Sequence, residues 1–493
     1  MILCRGEGIR RNSSFVSTRK DKNPPQNPYH NEHLDGPIGA VALRFTSFME
    51  DYRSYFRVAR HNVSDKARSY MAGLILKAPR KNMERMEEYV QDCDYQSQQQ
   101  FISDSPWDHD ALTARIAAEV SDLIGDDDST LILDESGFSK KGVKSAGVAR
   151  QWNGRLGKVD NCQVGVFAAL TDGTHSALVD KRLYLPETWT SDIERCKAAR
   201  VPDTEHQYRS KTQLAWEMIQ SASDRGMNFG WVALDALYGS APWLLHAIDD
   251  LGKQYVADVR SNQRVYTEEP KPKLSEPRKS KNRKSTKPHS DHQSVRVDKI
   301  FDRDDARKWR KIHIRPGTKG NLEVWASRRR VWMWDGEENR ARSLWAVCII
   351  DACSGDTKWF LSNAPQAAKL EVIVKQHARR FWIERSFQDA KTSLGMADYQ
   401  ARGWLAWQHH MSMVMLAMLF IMKERKINQK EVEFLSYTDI IEMLGVYLPR
   451  GDVRPEEVYR NIERRHKKRR AGIESAQRAR ERKRIKLKDV LTK

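Results

Sequence analysis

Cysteine is scarce in this sequence and never closely paired: six residues among 493 (Cys4, Cys93, Cys162, Cys196, Cys348, Cys353), none in CxxC spacing. That distribution argues against both a disulfide framework and a zinc ribbon, and makes a reducing cytoplasm the simplest compartment. No G-x-x-x-x-G-K-[ST] occurs, so nucleotide hydrolysis in a P-loop is not supported. Long apolar runs are missing too. The longest, Met411 to Met422, has 12 residues, well short of the roughly 20 that cross a bilayer, and reads as a buried helix. The N-terminal MILCRGEGIRR carries charge where a secretion signal needs an apolar stretch, so neither export nor a membrane partner is expected.

Acidic residues are outnumbered, 66 Asp plus Glu against 85 Lys plus Arg, for a formal charge of +19. Such a surplus points to a polyanionic partner. Residues 461–493 hold 14 Lys or Arg and 4 acids, so this stretch supplies +10 of the +19. A basic run is either a solvated tail or a nucleic-acid arm, and charge alone goes no further than nucleic acid. The 40% hydrophobic and 31% charged fractions suit a soluble folded protein, and the length exceeds the roughly 100–200 residues of one domain.

Residues 1–38 are polar and aperiodic, with Pro24, Pro25 and Pro28, and read as a disordered leader. Phe45, Phe48, Met49, Tyr52, Tyr55 and Phe56 then follow helical spacing. Ser64 reads as the cap of a second helix through Leu76, and helical patterns at about 81–90 and 108–124 complete an all-helical domain over 39–126. It carries no helix-turn-helix signature, so DNA binding and a purely structural role are both open.

From Ser129 the texture turns to short β-type runs, TLILD, CQVGVFAAL, ALVDKRLYL, WVALD and QYVADV, with helical stretches at about 210–227 and 241–251. Three strands followed by alternating helix and strand indicate a mixed α/β sheet over 127–260. Residues 271–288 hold 8 Lys or Arg, 1 acid and three prolines and read as a basic loop. It opens a β-rich insertion over 261–362, in which KIHIRP, LEVWASRRRVWMW and SLWAVCIID alternate in strand fashion. The core resumes over 363–430, with helical periodicity from Leu370 through Lys391 and again at about 403–423. Residues 431–493 form a helical and basic C-terminal tail.

Asp134 ends TLILD before Glu-Ser-Gly, and Asp235 ends WVALD before Ala-Leu-Tyr-Gly-Ser. An Asp at a strand end is ordinarily a turn or cap residue. The segment HARRFWIERSFQDAK adds Glu384, with Arg380 and Lys391 on its helical face at about 100° per residue. The ordinary alternative is an intrahelical ion-pair ladder. Phe381, Trp382, Ile383 and Phe387 surround these charges, however, which predicts a largely buried helix whose charge needs a partner. Three carboxylates from two strand ends and a helix suit two Mg²⁺ (or Mn²⁺) ions, which stabilise the attacking and leaving oxygens of phosphoryl transfer. Arg380 and Lys391 would hold backbone phosphates.

LILDESGFSKKG, WVALDALYGS and RRFWIERSFQDAKTSLG resemble the three catalytic blocks of insertion-sequence DDE transposases, also described as DDE superfamily endonucleases. Arg380, Glu384 and Lys391 match the spacing of the Y-(2)-R-(3)-E-(6)-K signature, with His377 at the tyrosine position. The resemblance runs from about residue 40 to 425. It takes in Gly73-Leu74, Arg80-Lys81-Asn82 and the run from Gln151 to Lys158, and is nearest to the subgroup numbered seven hundred and one within the superfamily numbered four.

The resemblance implies an RNase H-like core interrupted by the β-rich insertion, with catalytic, metal-holding Asp134, Asp235 and Glu384. It implies cut-and-paste transposition: cleavage at terminal repeats, then attack of the freed 3′ hydroxyl on target DNA. It also implies double-stranded DNA as partner, a homodimer holding two ends together, and a bacterial, nucleoid-associated setting. Some relatives stack a flipped base on an aromatic residue of the insertion, for which Trp325, Trp332 and Trp334 are candidates; three indoles buried in the sheet would remove that role. A domesticated endonuclease and a non-catalytic, transposase-derived DNA-binding protein are the alternatives. His409-His410 lack companion ligands at helical spacing and read as buried or capping residues.

Overall fold

The computed structural model describes residues 40–274, 288–428 and 436–447, apart from a few isolated positions, and scattered residues between 467 and 478. The expected leader, most of the basic loop and most of the tail lie outside the described residues.

Five helices come first: α1 (Val41–Asp51), α2 (Ser64–Ile75), α3 (Met83–Tyr89), α4 (Tyr95–Ser103) and α5 (His109–Ile124). The aromatic stripe predicted on the first of them is buried at Phe45, Phe48, Tyr52 and Phe56. Asp94 and Asp108 cap α4 and α5 by accepting hydrogen bonds from first-turn amides. Ser64 is not the cap of α2. It is the first helical residue, and the Asn62 side chain two positions upstream accepts its amide at 2.8 Å.

Ten strands then build one sheet. They are β1 (Asp126–Ser139), β2 (Ala149–Asn153), β3 (Lys158–Thr171), β4 (Ser176–Tyr184), β5 (Phe229–Leu234) and β6 (Gln254–Val259), followed by β7 (Arg310–Gly317), β8 (Gly320–Met333), β9 (Arg342–Asp351) and β10 (Thr357–Ser362). The order is β7-β8-β9-β10-β6-β5-β1-β3-β2, and β4 pairs with the far half of β3. The β1–β5 and β5–β6 pairs are parallel, and the helices α6 (Lys211–Asp224) and α7 (Pro242–Asp250) precede β5 and β6. The strands of residues 310–362 do not form a sheet of their own: β10 pairs antiparallel with β6, Leu361 opposite Ala257, and β9, β8 and β7 add outward from it.

Two local expectations are corrected. Asp134 does not terminate its strand. β1 runs on to Ser139, since antiparallel β3 keeps pairing with it through Glu135–Val166, Ser136–Gly165 and Gly137–Val164. The helical run from Leu370 to Lys391 is likewise broken, into α8 (Leu370–Ala378) and α9 (Phe381–Ser393). The break is tied to β1: Gln376 donates to the Asp128 carbonyl at 2.9 Å and accepts from Thr130 Oγ1 at 2.6 Å, and Arg379 pairs with Asp128.

The apolar run from Met411 to Met422 lies in α10 (Trp404–Asn428). By length and composition this helix could cross a bilayer, yet 94% of its most apolar window is buried inside the protein. It packs against α2, α4, α5 and β4, and α11 (Tyr437–Tyr447) packs on it. Cys93, Cys162, Cys196 and Cys348 are buried thiols and Cys353 is an exposed one.

Asp235 is followed by a one-turn helix, Ala236–Gly239, pressed on β6. A methyl group on Gly239 would stand 2.1 Å from the Asp258 carbonyl oxygen, a clash with backbone that only movement of the turn relieves. Gly239→Ala should therefore cost about 1–3 kcal/mol, read as a lower denaturant midpoint at unchanged m-value. An unchanged midpoint would mean that the turn has room to shift.

Candidate active site

Three parallel strands come into step at one edge of the sheet. Leu133 of β1 is in register with Leu234 of β5, and Leu234 with Ala257 of β6. The next residues, Asp134, Asp235 and Asp258, therefore follow one another across adjacent strands. Asp235 also serves as the cap of its one-turn helix, accepting the amides of Leu237 at 2.8 Å and Tyr238 at 3.2 Å. The modest reading of that residue as a cap is correct, and the cap holds its carboxylate beside Asp134. Asp258 had no place among the residues singled out from the sequence; its only signal was a carboxylate one position before the end of an apolar strand.

Arg380, the residue preceding α9, joins this row to Glu384. Its Nε lies 3.3 Å from Asp258, its Nη1 3.7 Å from Asp134 and its Nη2 2.9 Å from Glu384. The i,i+4 pair predicted on the helix is present, but the guanidinium reaches beyond its own helix to two strands. Glu384 is not buried as its aromatic neighbours suggested: its side chain is 54% exposed, against 15% for Asp134. Ile383 and Phe387 take the inward face of α9, while Phe381 is exposed, so the helix is amphipathic and Glu384 lies on its open side. Lys391 reaches across β1, its Nζ donating to the Gly137 carbonyl at 3.4 Å and lying 5.2 Å over the Phe138 ring.

Burial of like charges dominates the electrostatics. The Asp134 carboxyl is pushed up to about 7, first by loss of water and then by Asp235. Asp235 is raised in the same sense, burial again leading. Burial works on Asp258 too, yet His377 and then Arg380 hold it below the usual carboxylate range. His377 Nε2 is 2.6 Å from Asp258 Oδ1, and its ring stacks on Phe360 at 4.1 Å between centroids. Burial and the nearby Arg155 lower the Lys391 ammonium to about 8. Glu135, next to Asp134, is drawn aside by a 2.7 Å pair with Lys211.

A cavity of about 820 Å³ opens beside Asp235, Asp258 and Arg380, with Arg260, Arg296 and Lys358 on its wall. Of the three tryptophans considered for base stacking, Trp325 is 43% exposed and Trp332 and Trp334 are partly exposed. His409 and His410 are buried, and burial pushes both down to about 3. Neutral His410 accepts from Tyr70 Oη at 2.8 Å and faces the Met396 carbonyl at 3.3 Å, a packing role.

Two crowded, largely buried carboxylates of raised pKa are oxygen donors short of positive charge, which suits a hard divalent cation. Among the described residues, however, no three His, Cys, Asp or Glu side chains are gathered closely enough to hold one. At this edge Arg380 lies between Asp134 and Glu384, 3.7 Å from the first and 2.9 Å from the second.

The raised Asp134 carboxyl carries a sign for stability. Its folded value of about 7 exceeds the ordinary 3.8, so folding takes up a proton. The associated stability is complete below the ordinary value and is lost as pH climbs through about 7. With chelator present, Asp134→Asn should leave the unfolding free energy near wild type at about pH 4 and raise it on the order of 2 kcal/mol at about pH 8. Equal shifts at both pH values would contradict the burial of this charge.

The chain is similar to known proteins. Residues 54–321 match the family model described as DDE superfamily endonuclease, a span that includes Asp134 and Asp235 and stops short of Glu384. A protein of Microchaete diplosiphon described as a probable transposase for insertion sequence element IS701 is 26% identical over 360 residues, covering 72% of this chain and 81% of the relative. A solved piggyBac transposase synaptic complex with hairpin DNA aligns with 84% of this chain and 80% of its own at 11% identity and a TM-score of 0.39. With more than half of its length matched by the family model, the chain belongs to the DDE superfamily endonucleases.

Proposed function

We propose that this protein is a DNA transposase that moves an insertion sequence by cutting DNA at its terminal repeats and joining the freed ends to target DNA. The observation that carries this reading is the register that sets Asp134 beside Asp235, with Glu384 tied to Asp134 through Arg380. The succession of strands β1, β3 and β4, then α6-β5-α7-β6 and the closing helices, supports an RNase H-like core in this reading.

In this reading Asp134, Asp235 and Glu384 would hold two Mg²⁺ or Mn²⁺ ions. Bound there, the ions supply Lewis-acid stabilisation of the attacking and leaving oxygens. The protein's own residues align the strand: Arg380 and Lys391 grip phosphates, and Arg260 and Lys358 continue that positive wall along the cavity. The partly exposed Trp325, Trp332 and Trp334 are retained as base-stacking candidates. The working assembly is a homodimer pairing two transposon ends, since cleavage and joining have to be coupled.

The test is cleavage of a labelled duplex carrying the repeats that flank the gene. Nicking at the repeat boundary should require Mg²⁺ or Mn²⁺ and fall at least about 10²–10³-fold in Asp235→Ala. Cleavage indifferent to Asp235 would overturn the site, and tight binding without cleavage would mark a non-catalytic DNA-binding protein. Deleting residues 461–493, with their 14 Lys or Arg, should flatten the dependence of log affinity on log salt by roughly two units or more. An unchanged slope would remove the tail from the interface.

A further inference from the structure

Arg380 has three carboxylate partners, and each takes a different nitrogen: Nε meets Asp258, Nη1 Asp134 and Nη2 Glu384. Two of those partners are the residues assigned above to the metal ions. The third, Asp258, is built into its place. It lies opposite Phe360 in the β6–β10 pair. The ring of Phe360 supports His377, whose Nε2 fixes Asp258 Oδ1 at 2.6 Å, while Oδ2 faces Arg380. Phe360 is fully buried and His377 nearly so. His377 and Arg380 flank the α8–α9 break, so one turn of chain grips the same carboxylate twice. The contact with Glu384 reaches a half-exposed side chain, where a salt bridge is weakly held, and the contact with Asp134 is the longest of the three.

We propose that Asp258 is the fixed anchor of Arg380 and a positioning residue for the cleavage proposed above, on which this inference rests. Asp134 and Glu384 are its exchangeable partners, which a divalent cation held by those carboxylates would displace from Arg380. Tethered through Nε, the guanidinium then keeps its Nη edge at the site, free to meet a phosphate in fork geometry. His377, standing where the family signature has tyrosine, acts through Asp258 rather than on the substrate.

The test is a double-mutant cycle on the full-length protein with Asp258→Asn, which preserves side-chain shape, and Arg380→Gln. Shifts in thermal midpoint should be non-additive by the same amount in chelator and in saturating Mg²⁺. Additive shifts in both, or coupling that vanishes with Mg²⁺, would overturn the anchor. On the repeat-bearing duplex, Asp258→Asn should slow nicking roughly 10–100-fold with little change in DNA affinity, and less than about twofold when added to Arg380→Gln. An equal loss in both backgrounds would mean that Asp258 acts independently of Arg380. If the wild-type protein fails to nick at all, the transposase reading falls, while the midpoint cycle still decides whether Asp258 anchors Arg380. Should Arg380→Gln not fold, Arg380→Lys serves, since a single ammonium cannot reproduce the three-way contact.

Discussion

Like charge crowded into a poorly solvated sheet edge is the condition that the rest of this site answers. A parallel register places three aspartates on neighbouring strands, and water is too sparse there to screen them. Each is relieved differently. Asp134 holds its proton into the neutral range, Asp235 leans on two backbone amides, and Asp258 stays ionised between His377 and Arg380. One guanidinium serves several of them, which is why a helix break, two strands and a solvent-facing glutamate are bound together at a single point.

The parts of this arrangement that were readable from sequence are those governed by local pattern. The apolar strands that carry Asp134 and Asp235, the i,i+4 spacing of Arg380 and Glu384, the aromatic stripe that begins on α1 and the buried run in α10 all declare themselves within a dozen residues. Asp258 did not, because its significance comes from a register with β5 that local sequence does not encode. The Glu-Ser-Gly after Asp134 looked like a turn, and remains extended only because β3, some thirty residues away, continues to pair with it. The break at Arg379–Arg380 is hidden for the same reason: its helical periodicity is unbroken, and its cause is the hold of Gln376 and Arg379 on β1. Tertiary partners outvoted local propensity in each case.

The β-rich segment teaches a related lesson. Its alternation was legible, but whether it formed a separate sheet or joined the first depended on β10 finding the free edge of β6. By closing that edge it places Phe360 under His377 and brings Lys358 to the cavity wall. The segment thus contributes to the site through its last strand.

The long buried helix α10 carries a mechanical implication. It lies against four of the N-terminal helices and against β4 at once, and Arg44 of α1 grips its buried Glu424 through two hydrogen bonds of 2.8 and 2.6 Å. The helical unit is therefore bolted to the sheet instead of hanging from a tether. The distance from that unit to the carboxylates is therefore set by side-chain packing, much of it by the methionines buried along α10.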